Sequence, residues 1–259
     1  MYIDTHCHLS RDDYEDIEKI IENAINNKVE YMIVSGCDKK SIKESIAIAE
    51  NHNNIFLAIG YHPSEVLTTT DEDLIELEKI AKSNKKVVAI GEIGLDYHWD
   101  KENKDNQKEL FKKQIAIAKR LKLPIVIHSR DAFQDTYDIL KEFNHYGVIH
   151  CFSGNIENAK MYSDLGFYFG IGGVLTFKNT NLRETVKTIS KDRLILETDS
   201  PYLAPTPHRG EKNEPMYIPL IADCLSKSIA LPVNEIEKIT TENAVKLFNL
   251  NISKNWLKI

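Results

Sequence analysis

The chain has 259 residues, of which 42% are hydrophobic and 28% charged, and its formal net charge is −6 at pH 7. This composition is typical of a globular protein with a sizeable core, and the negative charge argues against one that holds nucleic acid mainly through a basic surface. We recognise no signal peptide, no apolar run of the ~18 residues that a membrane span needs, and no C-x-x-C pair among the four cysteines. We therefore expect a cytoplasmic protein with reduced thiols, without membrane contact or an obligatory protein partner.

Short apolar and β-branched runs recur eight times along the chain. They cover residues 2–6, 31–35, 55–60, 87–92, 124–128, 147–150, 168–172 and 194–197. Amphipathic segments with helical spacing separate them, at residues 13–28, 39–51, 71–82, 111–121, 131–143, 156–165 and 182–189, and two more follow at 218–229 and 234–248. Eight strands alternating with helices predict an α/β fold, a parallel (β/α)8 TIM barrel forming one domain over residues 1–259.

An open, doubly wound sheet is the alternative arrangement for this alternation of strands and helices. Such a sheet normally carries a glycine-rich phosphate-binding turn after its first strand. Here the first strand is followed by His8-Leu9-Ser10-Arg11, which contains no glycine. The closed barrel is therefore the favoured prediction.

Side chains that commonly bind metals follow the predicted strands, at the edge of a barrel where active sites lie. His6 and His8 close strand one and share a face, because side chains alternate along a strand. The later strand ends carry His62, Glu92, His128, His150 and Asp199, and His208 lies in the loop after strand eight. Each of these alone is more often a hydrogen-bonded loop residue than a ligand, but one metal centre explains them together.

Six residues form the predicted ligand set: His6, His8, Glu92, His128, His150 and Asp199. Four imidazoles and two carboxylates exceed what one tetrahedral ion needs and suit two divalent ions that share a bridging carboxylate and a bridging hydroxide. A metal-bound water has a pKa near ~7, and a carboxylate on the last strand is placed to orient that hydroxide or accept its proton. We predict metal-assisted hydrolysis with Glu92 and Asp199 as the catalytic carboxylates.

Several strings of the sequence resemble the TatD family of metal-dependent deoxyribonucleases, a branch of the amidohydrolase superfamily. They include Ile-Asp-Thr-His-Cys-His-Leu at 3–9, Gly-Tyr-His-Pro at 60–63, Gly-Glu-Ile-Gly-Leu-Asp-Tyr at 91–97, His-Ser-Arg-Asp-Ala at 128–132, His-Cys-Phe-Ser-Gly at 150–154 and Leu-Glu-Thr-Asp-Ser-Pro-Tyr-Leu at 196–203. With shorter matches near residues 209–215, they follow the expected order over most of the chain. The resemblance implies a barrel with a two-metal site.

Carried over by position, the resemblance implies a role for each predicted ligand. His6 and His8 would hold one ion with Asp199 nearby, His128 and His150 would hold the other, and Glu92 would bridge the two. The resemblance also implies that His62 and Arg130 meet the substrate phosphate. Family members are described as Mg-dependent nucleases that remove nucleotides from DNA ends in the 3′ to 5′ direction.

The metal and the substrate are the less determined parts of this prediction. Imidazole-rich ligation suits Zn or Mn, whereas Mg prefers oxygen, so we expect two divalent ions of open identity. DNA, single-stranded or at its ends, is the expected substrate. The alternative is a metal-dependent deacylase or amidohydrolase acting on an ester or amide such as aminoacyl-tRNA, because a Lewis acid polarises carbonyl and phosphoryl oxygens alike. A barrel serving only as an interaction surface is disfavoured, since no ligand is missing.

Two positions depart from the family pattern, Ser10 and Glu211, where Asp or Asn and a basic residue are more usual. Glu211 removes a positive charge near the predicted mouth of the barrel. Arg209 is a further candidate phosphate partner, and the bland alternative is that Arg130 and Arg209 pair with acids next to them in the chain. Three aromatic residues near the mouth can either stack a terminal base or pack within loops: Tyr97, Phe152 and Tyr202.

Overall fold

Eight parallel strands form one sheet in which each strand pairs with the next along the chain. The computed structural model describes residues 1–252. The strands are β1 (Tyr2–Cys7), β2 (Val29–Gly36), β3 (Ile55–Ile59), β4 (Val87–Asp96), β5 (Ile125–Arg130), β6 (Gly147–Ile149), β7 (Tyr168–Ile171) and β8 (Leu194–Leu196). An unbroken order from one to eight confirms the predicted (β/α)8 TIM barrel and excludes the doubly wound alternative, whose strand order reverses.

Hydrogen bonds just beyond the paired segments join β1 to β8. The Asp199 N–H donates to the His6 carbonyl at 2.9 Å. The Thr198 N–H donates to the carboxylate of Asp4 at 3.0 Å, and that carboxylate is fully buried. The first and last strands are therefore held side by side. This brings together site residues that are far apart in the sequence.

Nine helices in residues 1–252 surround the sheet. They are α1 (Ile17–Asn26), α2 (Lys39–Asn51), α3 (Asp71–Ser83), α4 (Lys104–Leu121), α5 (Phe133–Phe143), α6 (Ile156–Asp164), α7 (Leu182–Thr185), α8 (Ile218–Ile229) and α9 (Val233–Phe248). Local chemistry sets several of the boundaries: α3 begins at Thr70, whose hydroxyl accepts from the Asp73 N–H while the Asp73 carboxylate accepts from the Thr70 N–H. This capping box satisfies backbone donors that a helix start leaves free.

Most predicted boundaries lie within two residues of the observed ones, but four elements differ by more. The helix predicted at 111–121 is α4, which begins seven residues earlier, at Lys104. The segment predicted as a helix at 13–28 is helical only from Ile17 to Asn26, and the one at 182–189 is a single α-turn that continues as a 3-10 turn, Val186–Thr188. Strand β4 runs to Asp96, four residues beyond its predicted end. The predicted domain extends to residue 259, and residues 253–259 lie outside the described part of the chain.

The interior of the barrel is apolar at the end where the strands begin. Ile3, Val126 and Ile195 point inward there and pack with Leu247 and Phe248 from the last turn of α9. A second apolar layer lies between the strands and the surrounding helices. Since the amino-terminal end of the barrel is filled, the carboxyl-terminal end is where polar side chains can gather around an accessible space.

No single helix in residues 1–252 combines the length and the hydropathy that a membrane span needs. Within that range the segments Pro215–Ile229 and Val233–Phe248 have both only when taken together, as a pair bent by 109°. The apolar face of the first of these, which includes Ile221 and Leu225, is buried in the protein core.

Candidate metal centre

The alternation of side chains along β5 and β6 directs polar residues into the barrel. Val126 on β5 and Val148 on β6 point into the apolar interior. The side chain two residues further along a strand points the same way. His128 and His150 occupy those positions and therefore face the interior one layer above the apolar residues.

Glu92, from β4, lies at the centre of the cluster and is 5% exposed. Its Oε1 atom is 2.8 Å from His128 Nδ1 and 3.6 Å from His150 Nε2. Its Oε2 atom is 3.4 Å from His6 Nε2 and 3.8 Å from His8 Nε2. One carboxylate oxygen thus faces the β5–β6 histidines and the other faces the β1 histidines, as a bridging carboxylate requires.

Asp199 approaches the same space from the loop after β8. Its Oδ1 atom is 3.5 Å from His8 Nε2, 3.7 Å from His6 Nε2 and 3.6 Å from His150 Nε2. The two β1 imidazoles, whose Nε2 atoms are 3.2 Å apart, lie against it. The structure therefore brings all six predicted ligands together.

The spacing of these atoms fits divalent metal ions. Ligand atoms ~2.1 Å from a tetrahedral ion lie ~3.4 Å apart, and the nitrogen–oxygen distances around Glu92 and Asp199 are close to that value. Four overlapping triads have ligand atoms within 4.8 Å of one another: His6, His150 and Asp199; His6, His8 and Glu92; Glu92, His128 and His150; and His62, Asp96 and His128. Buried imidazoles and carboxylates so arranged are the chemistry of a divalent-metal centre.

Electrostatics in the cluster keep the carboxylates ionised. Burial favours a neutral Glu92, but the positive charge of His150 and a hydrogen bond from His128 hold the pKa of Glu92 well below its ordinary value. Burial likewise opposes ionisation of Asp199, and the charge of His150 lowers its pKa nevertheless. Two charged carboxylates are available to neutralise cations bound between them.

Two further carboxylates orient the β5 and β6 histidines, and we did not identify them in the sequence as site residues. Asp96 Oδ2 lies 2.9 Å from His128 Nε2, and Glu197 Oε1 lies 2.9 Å from His150 Nδ1. Each acid meets the nitrogen that faces away from Glu92. Partners of this kind fix the ring orientation and raise the basicity of a metal-ligating histidine.

Glycines make room for these acids. A Cβ atom on Gly170 of β7 would lie 2.1 Å from Glu197 Oε2. A Cβ atom on Gly94 of β4 would lie 1.9 Å from the His128 carbonyl oxygen, and Gly94 has φ +148°. Any side chain at either position would push a strand end or an acid out of place, so both glycines help to position the histidines.

The predicted phosphate partners lie at the edge of the cluster. His62 Nε2 is 3.9 Å from Glu92 Oε1, and its ring centroid is 4.5 Å from that of His128. The His62 Nδ1 atom accepts from the Ser64 N–H at 3.1 Å, which leaves the proton of the neutral ring on Nε2, towards the site. Burial lowers the pKa of His62 to about 4. Arg130 is exposed, and its guanidinium carbon is 5.4 Å from the Trp99 ring centroid.

Arg209 and His208, the other two residues noted near the mouth, contact side chains outside the cluster around Glu92. Arg209 lies 3.6 Å above the ring of Phe177 rather than beside Glu211, which instead contacts His208 at 2.8 Å. His208 also stacks on Tyr217, and no contact joins it to the metal cluster within the described residues. His208, which was not among the six predicted ligands, therefore lies apart from the cluster.

Some aromatic residues near the mouth of the barrel are buried in the fold, and others are exposed. Tyr97 and Phe152 are buried, and the Tyr97 hydroxyl donates to Asp135 at 2.7 Å, so both pack within the fold. Tyr202 is 59% exposed and lies 6.0 Å from the His8 ring. Trp99 is 77% exposed. It was not among the aromatic residues predicted at the mouth, because it lies outside the strings that resemble the TatD family.

All four cysteines are free thiols in this structure. Cys37 lies at the end of β2, and its sulfur is 3.7 Å from Glu92 Oε2 and 3.4 Å from the Ser35 hydroxyl. This thiol therefore belongs to the surroundings of Glu92. Its scattered position in the sequence gave no indication of that.

Comparison with known proteins places this barrel among relatives. The family described as TatD related DNase matches residues 3–249. The uncharacterized metal-dependent hydrolase YabD of Bacillus subtilis (strain 168) is 45% identical over 256 residues, covering 97% of this chain and 100% of that protein. The uncharacterized metal-dependent hydrolase YcfH of Escherichia coli (strain K12) is 35% identical and covers 97% of each chain. The solved structure of YjjV, a TatD homolog from Escherichia coli K12, has a TM-score of 0.90 at 30% identity and covers 96% of this chain and 98% of that one.

Proposed function

The chain belongs to the TatD family of metal-dependent hydrolases, and from this premise we propose that it is a deoxyribonuclease. In this proposal it hydrolyses phosphodiester bonds at DNA ends in the manner of a 3′ to 5′ exonuclease. The observation that supports the proposal is the placement of Glu92 between two histidine pairs, with Asp199 facing both. Two divalent ions held in this way suit a displacement at phosphorus, whose attacking and leaving oxygens both need stabilisation.

The two histidine pairs and Glu92 would hold the ions. Bound ions lower the pKa of a water molecule and polarise the phosphoryl oxygens. Asp199 is ionised and reaches both histidine pairs, so it can orient the attacking water and accept its proton. Asp96 and Glu197 contact the ring nitrogens of His128 and His150 that face away from Glu92, which turns the other nitrogen of each ring towards Glu92.

His62 and Arg130 would bind the phosphate. Neutral His62 directs its Nε2–H towards the space beside Glu92, where it can donate to a phosphate oxygen. Arg130 is exposed two residues beyond His128 and offers a fixed positive charge at the rim. A charge-assisted hydrogen bond of this kind is stronger than one between neutral groups.

Hydrolysis of an acyl ester uses the same metal chemistry, so the substrate must be tested directly. Single-stranded DNA with a labelled 3′ end and an N-acyl amino acid ester are each incubated with the protein, with and without EDTA. We expect nucleotide release from the DNA and its loss with EDTA. Turnover of the ester alone would contradict the nuclease proposal and favour the deacylase.

A further inference from the structure

Two exposed aromatic side chains stand at the mouth of the barrel. Trp99 follows β4 and is 77% exposed, and Tyr202 follows β8 and is 59% exposed. Scattered exposed apolar residues are common on protein surfaces, so exposure alone carries no meaning. What distinguishes this pair is how each ring is joined to the metal centre.

Trp99 is fixed beside the β5 side of the centre. Its N–H donates to Asp96 Oδ1 at 3.1 Å, and Oδ2 of the same carboxylate is 2.9 Å from His128 Nε2. The guanidinium of Arg130 lies 5.4 Å from the indole centroid, and the ring of His98 meets the indole edge-on at 4.8 Å. The indole is thus held next to a predicted phosphate partner while most of its surface faces solvent.

Tyr202 is fixed beside the β1 side. Its N–H donates to the Asp199 carbonyl at 2.8 Å, and its own carbonyl accepts from the buried amide of Asn213 at 2.6 Å. Its ring meets that of His8 at 6.0 Å with an interplanar angle of 70°. The backbone that carries Tyr202 is therefore the backbone that positions Asp199.

The strand order places these two rings on opposite sides of the centre. In an eight-stranded barrel numbered in order, β4 lies across from β8, and β1 lies across from β5. Glu92 lies on β4, whose following loop carries Trp99, and Asp199 lies in the loop after β8 that carries Tyr202. A phosphate bound at the metal centre would have one exposed aromatic surface on each side.

We infer that Trp99 and Tyr202 stack the bases on the two sides of the phosphodiester that the centre holds. The inference rests on the proposed function. Paired bases are already stacked on their neighbours, whereas the bases of a single strand are free to lie on aromatic rings. Arg130 beside Trp99 adds a positive charge for the adjoining phosphate.

Substitutions at the two rings test the inference on single-stranded DNA with a labelled 3′ end. We expect Trp99→Ala and Tyr202→Ala each to raise KM about tenfold, the range for loss of one stacked base, with kcat little changed. Trp99→Phe and Tyr202→Phe should restore most of the affinity. Ile75→Ala is the matched control, because Ile75 is 68% exposed on α3 and lies in neither loop.

Abasic substrates identify the partner of each ring. Removing the base on one side of the cleaved bond should raise KM of the wild-type protein, and the variant that lacks the matching ring should show no further increase. A binding measurement without turnover complements this: in metal-loaded Trp256→Phe protein, where Trp99 is the one tryptophan left, a thymidine dinucleotide with a non-hydrolysable linkage should quench fluorescence and its abasic analogue should not.

Two results would overturn the inference, and they are distinguishable. Unchanged KM in both alanine variants, with DNA still hydrolysed, would refute the stacking role and leave the proposed function intact. If the wild-type protein releases no nucleotide from any DNA, the proposed function fails and the inference fails with it.

Discussion

Glu92 is the residue on which the proposed metal centre depends most. Its two oxygens face different histidine pairs, so no neighbouring side chain can replace both contacts. Loss of an outer partner of a metal ligand typically costs 10- to 100-fold, and loss of a bridging ligand costs more. We expect Glu92→Ala to leave less than about 1% of wild-type DNA hydrolysis.

The measurement is the initial rate of nucleotide release at saturating metal, with circular dichroism to verify the fold. Glu102→Ala is the control, since Glu102 is an exposed acid away from the cluster. Retention of more than a few per cent of the rate in folded Glu92→Ala protein would rule out the bridging role.

His62 is expected to act on the substrate rather than on the ions. Removing a hydrogen bond to a charged group costs about 1.5–3 kcal/mol, so His62→Ala should slow DNA hydrolysis roughly 10- to 100-fold. Metal content per chain, measured by elemental analysis, should stay at the wild-type value. A variant that has lost metal would show instead that His62 is a ligand, as its place in a triad with Asp96 and His128 allows.

At the scale of the strands, small residues create the space that the site needs. Gly170→Ala places a Cβ atom 2.1 Å from Glu197 Oε2, so the acid and His150 above it must move. Overpacking of this kind costs about 1–3 kcal/mol. We expect a lower free energy of unfolding and weaker metal binding, measured by urea denaturation and by competition with a chelator.

Gly172→Ala provides the matched control two residues later. Its Cβ atom would lie 3.5 Å from the nearest atom, an ordinary contact. This variant should bind metal like the wild type. Equal metal affinity in the two glycine variants would show that Gly170 does not act through Glu197.

The same strands show what the sequence could and could not predict. Alternating strands and helices predicted the barrel, and strand ends predicted six converging ligands. Gly91 and Gly94 also resemble turn residues, yet β4 continues through both because Gly94 pairs with His128 and Asp96 with Arg130. Close approach of β4 to β5, which sequence patterns do not report, is the reason for these glycines.

The sequence did not predict Asp96 and Glu197, the two acids beside His128 and His150, for a related reason. Glu197 shares the inward face of β8 with Ile195, so strand periodicity could have found it. Its role depends on Gly170 of the neighbouring strand, which is a property of packing. Asp96 lies beyond the predicted end of β4, and only the longer observed strand places it beside His128.

For the whole molecule, the proposed metal ligation means that metal and protons compete for the same histidines. Burial lowers the pKa values of His128 and His150, but the surrounding carboxylates raise them to about 9 and about 10 in the metal-free protein. In the unfolded chain a histidine has a pKa of about 6.5. The stabilisation from these protons is complete below pH ~6.5 and is lost as pH rises through about 9 and 10.

We therefore expect the Tm of EDTA-treated protein to fall between about pH 7 and pH 10, relative to the metal-loaded protein. Bound ions keep the imidazoles neutral, so rising pH removes no stabilising proton from the loaded form and strengthens its metal binding. The measurement is a series of thermal denaturation curves of both forms in matched buffers. Parallel Tm profiles would contradict the assignment of His128 and His150 as ligands.

The central claim is that two ions at the mouth of the barrel support hydrolysis of DNA. The most direct test titrates metal-free protein with Mn²⁺ and follows nucleotide release from single-stranded DNA with a labelled 3′ end. We predict no release without metal and a rate that reaches its maximum at two ions per chain. A maximum at one ion per chain, or no release at any amount of Mn²⁺, would contradict the account.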